Sequence, residues 1–375
     1  MTPLFIYGTL CHLPLLQTVL GRLPASQAAV LPDYAVYWAE GHDFPLITNE
    51  PGAQAQGLLL PDLTAQDMAR LDFYEGPFGY ATQWCSLALA QGGVARAQVY
   101  MPAPGLWQAG AAWNLKEWAA RCGDTIVATA GDVFAFYPKP IAASRRDPML
   151  VRGSSRLRAA QAGPNQTRRA VASDDVVVQS CTQPYANFFA VEEYDLSFRR
   201  FDGARSPVIK RATFISGDAV TVLPYDPVRD RVLIIEQFRT GPFARGDVQP
   251  WQLEAIAGRI DPYESPEAAA RREASEEAGL TLGPLLQIGA YYPSPGAKTE
   301  YLYSYIALTD LPDDVAILGG EDSEAEDIKG HLLSFDAFAA LVARGEATTA
   351  PLLVSYYWLE RERPRLRAEA AATGM

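Results

Sequence analysis

Residues 258–280 read GRIDPYESPEAAARREASEEAGL, and within them Glu273 and Glu277 stand four apart, with Glu276 three from Glu273. In an α-helix that spacing puts the carboxylates on one face. Like charges so placed destabilise an isolated helix by about a few tenths of a kcal/mol, so the arrangement asks for a compensating cation. Carboxylates with no His or Cys beside them are hard oxygen donors, which select Mg2+ or Mn2+ over zinc. Ser265-Pro266-Glu267 supplies a helix start, with Ser as cap and Pro in the first turn. Gly279 supplies the stop, where positive φ is wanted. A solvated acidic face is the competing reading; Gly258, Glu264 and Arg272 in fixed register with the glutamates argue against it. Arg272 is then the internal counter-charge that orients the glutamates, and Glu264 shares that structural work.

A folded domain has to hold these groups, and the composition permits one. The chain has 375 residues, 49% hydrophobic and 20% charged. A single core rarely grows past roughly 250–300 residues, so two domains are expected, with an α+β fold class. A net charge of −12 excludes nucleic acid as a partner, since that demands a basic footprint. Cys11, Cys85, Cys122 and Cys181 form no CxxC pair, and the histidines are only His12, His42 and His331. A zinc site is therefore not expected, and lone thiols fit a reducing compartment, with the cytoplasm as the expected location. No run of about 18 apolar residues occurs, so no membrane span is expected. Met1 to Tyr7 is apolar but lacks a basic start, and reads as a buried strand rather than a signal peptide.

Short apolar runs between turn residues predict strands at 4–7, 56–60, 84–90, 95–101 and 132–137, and helical spacing falls at 14–21, 64–73 and 111–121. Between residues 144 and 169 the chain carries Arg145, Arg146, Arg152, Arg156, Arg158, Arg168 and Arg169. This segment reads as a solvated helix plus linker or as an anion-attracting arm. Strands are then expected at 176–179, 188–198, 211–215, 219–225 and 231–237, the acidic helix at 265–278, and strands at 285–292 and 302–308. Helices at 334–344 and 350–363 close the chain, with 368–375 expected to fray. The domains are expected at 1–140 and 175–365, with 141–174 between them.

The pattern G-x5-E-x7-R-E-U-x-E-E-x-G-U, with U apolar, is met at every fixed position from Gly258 to Leu280, and resembles the box of the Nudix hydrolases. The resemblance implies an α/β/α sandwich that hydrolyses a nucleoside diphosphate linked to another group, with Mg2+ held on the box helix. Carried over residue by residue, it makes Glu273 and Glu277 metal ligands, with the carbonyl of Ala257 as the neutral one. Glu276 is a third candidate ligand and is counted among the catalytic carboxylates. The flanks Trp251 to Gly258, Glu236-Gln237-Phe238-Arg239 and Tyr292-Pro293-Ser294-Pro295-Gly296 resemble the ADP-ribose pyrophosphatase subfamily. In that subfamily the catalytic carboxylate sits on an acidic loop, here 319–328. Glu324 is then the expected general base and Glu326 a further metal ligand, with Glu321 competing for the base; the plain alternative is an exposed acidic turn. Arg239 is expected to pair with a substrate phosphate, the alternative being a surface salt bridge. Tyr291 and Tyr292 either stack on adenine or pack in the core. The resemblance also implies a homodimer with exchanged strands. A GDP-mannose type is the alternative to ADP-ribose cleaved to AMP and ribose 5-phosphate.

A second resemblance covers about residues 1–140. Phe5-Ile6-Tyr7-Gly8-Thr9-Leu10 and Leu71-Asp72-Phe73-Tyr74-Glu75-Gly76-Pro77-Phe78-Gly79-Tyr80 are similar to the γ-glutamylcyclotransferase-like (AIG2-like) family. A β-barrel with flanking helices follows from it. Tyr7, Gly8, Thr9 and Leu10 would form a turn whose backbone N–H groups receive a carboxylate of a γ-glutamyl substrate. Glu75 would move the proton as the α-amine attacks the γ-carbonyl, and burial beside Tyr74 and Tyr80 would raise its pKa toward neutrality. Relatives commonly carry Tyr-x-Arg where this chain has Tyr80-Ala81-Thr82, so a non-catalytic binding module is the alternative. Some relatives with this pairing carry the label tellurite resistance, for which no residue here supplies a chemistry.

Overall fold

The computed structural model describes residues 1–139, 145–161, 163, 166–313, 318–320 and 327–373. The chain divides into two compact units, Met1–Arg168 and Arg169–Met375. Among the described residues no helix is long and apolar enough to cross a membrane.

The first unit is a barrel. Its strands are β1 (Thr2–Ile6), β2 (Gln27–Ala39), β3 (Pro45–Leu63), β4 (Tyr80–Leu89), β5 (Val94–Pro102) and β6 (Ala109–Ala112), ordered β3-β1-β5-β4-β2, with β2 returning to pair with β3 and β6 added at β2. Period-two alternation along β1 divides its side chains between two cores. Phe5 and Tyr7 join Leu31, Leu59 and Val99, while Leu4 and Ile6 join Leu15, Leu16, Leu60 and Trp118. The second core rests on α1 (Leu13–Leu20), α2 (Ala65–Glu75), α3 (Leu115–Trp118) and α4 (Asp124–Phe134), with a π turn at Ala119–Gly123 joining the last two. Helix α5 (Arg146–Ala160) follows.

Several expectations need correction. The helix expected over 111–121 starts only at Leu115, because Ala111 and Ala112 end β6. Residues 132–134, read as the start of a strand, lie in α4. The alternation of Val133, Phe134 and Phe136 imitates a strand, but Ile126, Val127, Ala130 and Phe134 recur at helical spacing and pack on the α1 core. Strand β2 was not anticipated; it carries Pro32-Asp33 as a register shift with Asp33 at φ 62°. The arginine segment is not a solvated helix. Met149, Leu150, Val151 and Arg152 of α5 are buried, and Arg152 Nε and Arg156 Nε reach the buried Asp132 at 3.1 and 2.7 Å.

The second unit begins with an antiparallel three-stranded sheet of β7 (Val176–Ala186), β8 (Ala190–Phe198) and β9 (Ile209–Ile215). The larger sheet contains β10 (Ala219–Asp226), β11 (Arg231–Phe238), β12 (Trp251–Glu254), β13 (Ile256–Arg259), β14 (Leu285–Tyr291), β15 (Leu302–Leu308), β16 (Leu318–Gly319) and β17 (Ile328–Ser334), with a short α6 (Thr240–Arg245) after β11. Its order is β14-β15-β10-β11-β17-β16, with β12 on β11 and β13 on β10. Alternate residues feed opposite faces. Val220, Val222, Leu233 and Ile235 pack under α7 (Pro266–Ala278). Leu223, Tyr225, Val232 and Ile234 pack under α8 (Phe335–Ala343) and α9 (Ala350–Thr373). The result is a sandwich of helix, sheet and helix. The tail expected to fray from 368 is helical to Thr373, because Leu366 and Ala370 are buried.

Candidate active sites

Helix α7 starts at Ser265, whose Oγ accepts the Ala268 N–H at 3.1 Å, and stops at Gly279 with φ 62°. Ala269, Ala270, Ala274 and Ala278 form its core stripe. These small residues let the helix sit close to β13. A Cβ on Gly258 would lie 1.9 Å from Glu273 Oε1, so only glycine leaves room for that carboxylate. Glu277 is 4% exposed and its Oε2 accepts the Ala257 N–H at 3.3 Å. Glu273 and Glu277 thus converge on the Ala257–Gly258 backbone.

Arg272 gathers the other side of the cluster. Its Nη1 donates to Glu273 Oε1 at 2.8 Å and to Glu276 Oε2 at 2.9 Å. Its Nε and Nη2 donate to the two oxygens of Glu264 at 3.1 and 3.0 Å, and Nη2 also donates to the Arg259 carbonyl at 2.9 Å. Burial works against the guanidinium charge, but the Glu264 hydrogen bond and the fields of Glu273, Glu264 and Asp261 overcome it and hold the pKa above the usual arginine value. Among the described residues no three acidic, His or Cys side chains close on a common point as a metal cluster. The donors at the Ala257–Gly258 backbone are all oxygens, which suits a hard divalent cation and not zinc.

Gly319 approaches the helix that carries this cluster. A Cβ on Gly319, at the end of β16, would lie 1.8 Å from the Glu277 carbonyl. Glu321, Glu324 and Glu326 lie outside the described residues. Arg239 lines a broad cleft with Glu236, Trp251, Glu254 and His331. There its Nε and Nη2 donate to Glu254 Oε2 at 2.9 and 2.6 Å. The tyrosine pair splits: the Tyr291 hydroxyl accepts from Ser304 at 3.1 Å, whereas Tyr292 is half exposed.

The first unit holds a separate pocket lined by Tyr7, Gly8, Thr9, Leu10 and Glu75 among others. The five residues singled out there from sequence therefore share one cavity. Leu10's side chain is buried in the helix-side core, so its backbone is what it can present. Glu75 ends α2, whose start is locked by the reciprocal bonds of Thr64 and Asp67. Tyrosine hydroxyls line the wall: Tyr7 donates to the Tyr100 carbonyl and Tyr80 to the Pro45 carbonyl, both at 2.8 Å. Burial raises the Glu75 carboxyl to about 8. Burial first, then the fields of Tyr80 and Glu75, raises Tyr7. Sequence reasoning missed Asp43 and Arg146, which also line this pocket. Neither lies in a motif, and Arg146 belongs to the arginine segment, which offered no way to single it out.

The sequence matches the NUDIX domain family over residues 216–353. An ADP-ribose pyrophosphatase from Escherichia coli (strain K12) is 34% identical over 198 residues, covering 53% of this chain and 94% of that protein. The chain belongs to the Nudix family. Its second unit is a Nudix hydrolase domain, and its first matches the family described as Gamma-glutamyl cyclotransferase, AIG2-like, over residues 4–120. A GDP-mannose pyrophosphatase from Salmonella paratyphi A (strain ATCC 9150 / SARB42) is 33% identical over 163 residues, 43% of this chain and 82% of that protein. A solved structure described as the crystal structure of ADP compounds hydrolase covers 52% of this Nudix chain and 98% of its own, at 22% identity and a TM-score of 0.40.

Two stability outcomes follow for this Nudix protein. Arg272→Ala strands the poorly exposed carboxylates of Glu264 and Glu273; a loss of about 3 kcal/mol is expected from the second unit in urea unfolding. For Glu75 the sign is set by a folded pKa of about 8 against an ordinary value of 4.5. Its ionisation costs nothing below pH 4.5, costs progressively more between 4.5 and 8, and costs most above 8. Glu75→Gln should therefore stabilise the first unit by on the order of a few kcal/mol at pH 8.5 and have little effect at pH 4.5. Melting curves at the two pH values measure the difference.

Proposed function

We propose that the second unit is a Mg2+- or Mn2+-dependent pyrophosphatase of nucleoside diphosphate sugars, with ADP-ribose cleaved to AMP and ribose 5-phosphate. The observation that carries this reading is the convergence of Glu273 and Glu277 on the Ala257–Gly258 backbone, held by Arg272. Glu273, Glu277 and the Ala257 carbonyl would hold the metal ion, with Glu326 as a further ligand. When bound, the ion would supply neutralisation of the pyrophosphate charge and lower the pKa of a water. Glu324 accepts the proton of the attacking water, a P–O bond forms to the water oxygen, and the bridging P–O bond breaks. Glu276, on the same guanidinium, adds negative charge beside the site. Arg239 leaves Glu254 to take a phosphate, where its planar fork is suited to bind. The relative that acts on ADP-ribose supports this substrate. The GDP-mannose relative keeps that sugar nucleotide as the second reading, paired with a non-catalytic first unit.

A homodimer belongs to the same proposal. Val176, Val178 and Phe198 lie on one face of the β7–β8 ladder and are large apolar side chains left exposed, and an exposed apolar patch of this kind marks an interaction site. For the first unit we infer cyclisation of γ-glutamyl amides. The α-amine nitrogen bonds to the γ-carbonyl carbon, the original amide C–N bond breaks, and Glu75 carries the proton from the attacking amine to the departing one. The raised Glu75 carboxyl and the pocket it shares with the Tyr7–Leu10 turn support this.

Glu277→Gln should abolish Mg2+-dependent AMP release while the protein stays folded. Release from ADP-ribose, GDP-mannose and NADH is measured by chromatography, and unchanged turnover in the variant would defeat the metal assignment. Formation of 5-oxoproline should rise with pH through about 8, as Glu75 ionises, and vanish in Glu75→Gln.

A further inference from the structure

Arg239 and Glu254 meet on the side of the sheet that carries the box helix. Leu233 and Ile235 of β11 pack under α7. Side chains two apart on a strand share a face, and the backbone of Arg239 is still extended, at φ −126° and ψ 123°. Gln237 and Arg239 therefore continue the row that faces α7. On the partner strand Glu254 lies opposite Ile235, and Gln252 opposite Gln237. The Arg239 N–H donates farther out, to the Pro250 carbonyl at 3.0 Å. To reach Glu254 the arginine side chain runs back past the Gln237–Gln252 pair, over the strand that leads on to Ala257.

The contact it finds there is a poor fit for a guanidinium. Nε and Nη2, one complete edge of the fork, both donate to the same oxygen, Glu254 Oε2, at 2.9 and 2.6 Å. Gln237 Nε2 shares that oxygen at 3.3 Å. The strong geometry is two parallel bonds to two separate oxygens, and a phosphate group supplies it. The Arg239 and Glu254 side chains are 39% and 16% exposed, so the pair is weak enough to exchange. Gln237 is buried. Its amide stays on Glu254 when the arginine leaves, so the carboxylate is not stranded.

We propose that Glu254 is a positioning residue that competes with the substrate for Arg239, holding the guanidinium back until a diphosphate offers it a two-oxygen fork. The proposal rests on the pyrophosphatase reading above and deepens it by naming what regulates the phosphate-binding arginine. Glu254 acts through Arg239 and touches no substrate. Each capture of substrate exchanges the Glu254 contact for the phosphate contact, so the apparent affinity reflects the difference between the two. Weakening the first contact therefore strengthens binding.

Steady-state hydrolysis of ADP-ribose with Mg2+, and calorimetric titration of the full chain with ADP-ribose in chelator, test it. Glu254→Gln keeps the shape and removes the charge, and both KM and Kd are expected to fall about three- to fivefold. Because the contact is already broken in the loaded enzyme, kcat should change by less than about twofold. Arg239→Gln should raise KM and Kd by about tenfold or more. In the Arg239→Gln background, Glu254→Gln should have no further effect, since its target is gone. Loss of a nearby negative charge by itself would tighten diphosphate binding in either background, so the double variant separates the two causes. Unchanged or weaker binding in Glu254→Gln, or equal tightening with and without Arg239, overturns the proposal. Should Glu254→Gln fail to fold, Glu254→Asp keeps the charge and shortens its reach; about twofold tightening is then expected, and none overturns the proposal. If wild type binds GDP-mannose in place of ADP-ribose, the same comparison is read with GDP-mannose. Failure of wild type to bind either removes the pyrophosphatase reading and the proposal together. Binding and hydrolysis without the Arg239-dependent tightening remove the proposal alone.

Discussion

One guanidinium holds the acidic cluster of the second unit together. Glu264, Glu273 and Glu276 would repel one another if brought together in a partly buried place, and Arg272 donates to all three while also tying down the Arg259 carbonyl. The contacts use both sides of the flat cation, which a lysine ammonium could not reproduce in the same geometry. Held this way, Glu273 presses against Gly258, where any side chain would displace it. The spacing on the helix, the glycine on the strand and the arginine between them are one device, and the surrounding sandwich gives it a rigid base.

The two units handle carboxylate charge in opposite ways. In the second, acidic groups are clustered and compensated by a built-in cation. In the first, Glu75 is withdrawn among tyrosines, and burial lifts its carboxyl to about 8. Its neighbours donate elsewhere, Tyr7 to the Tyr100 carbonyl and Tyr80 to that of Pro45. A carboxyl near neutrality is suited to taking and returning protons; a compensated cluster is suited to staying ionised.

Much of this was readable from local pattern. The cap at Ser265, the stop at Gly279 and the register of Glu273, Glu276 and Glu277 follow from spacing along one helix, and the structure keeps them. The pocket around Glu75 was reachable because two short segments, 5–10 and 71–80, carry recognisable residues. Failures came where tertiary packing overrode local pattern. Asp33 takes a left-handed conformation that lets β2 run through a Pro-Asp pair. Val133 and Phe134 open an apolar run that reads as a strand yet lie in a helix. Arg146 could not be chosen from among its neighbours because only the fold brings it to Asp43. In the same way, nothing local announces that Arg239 meets Glu254 across the β11–β12 connection.

Helix α5 blurs where the first module ends. The family match stops at residue 120, but the buried Asp132 is answered by Arg152 and Arg156, and Met149 and Val151 are enclosed. A fragment trimmed to the limits of sequence kinship would lose α4 as well, and with it Ile126, Val127, Ala130 and Phe134, which share the core of Leu15, Leu16 and Val19. The compact unit is longer than the stretch of sequence kinship it contains.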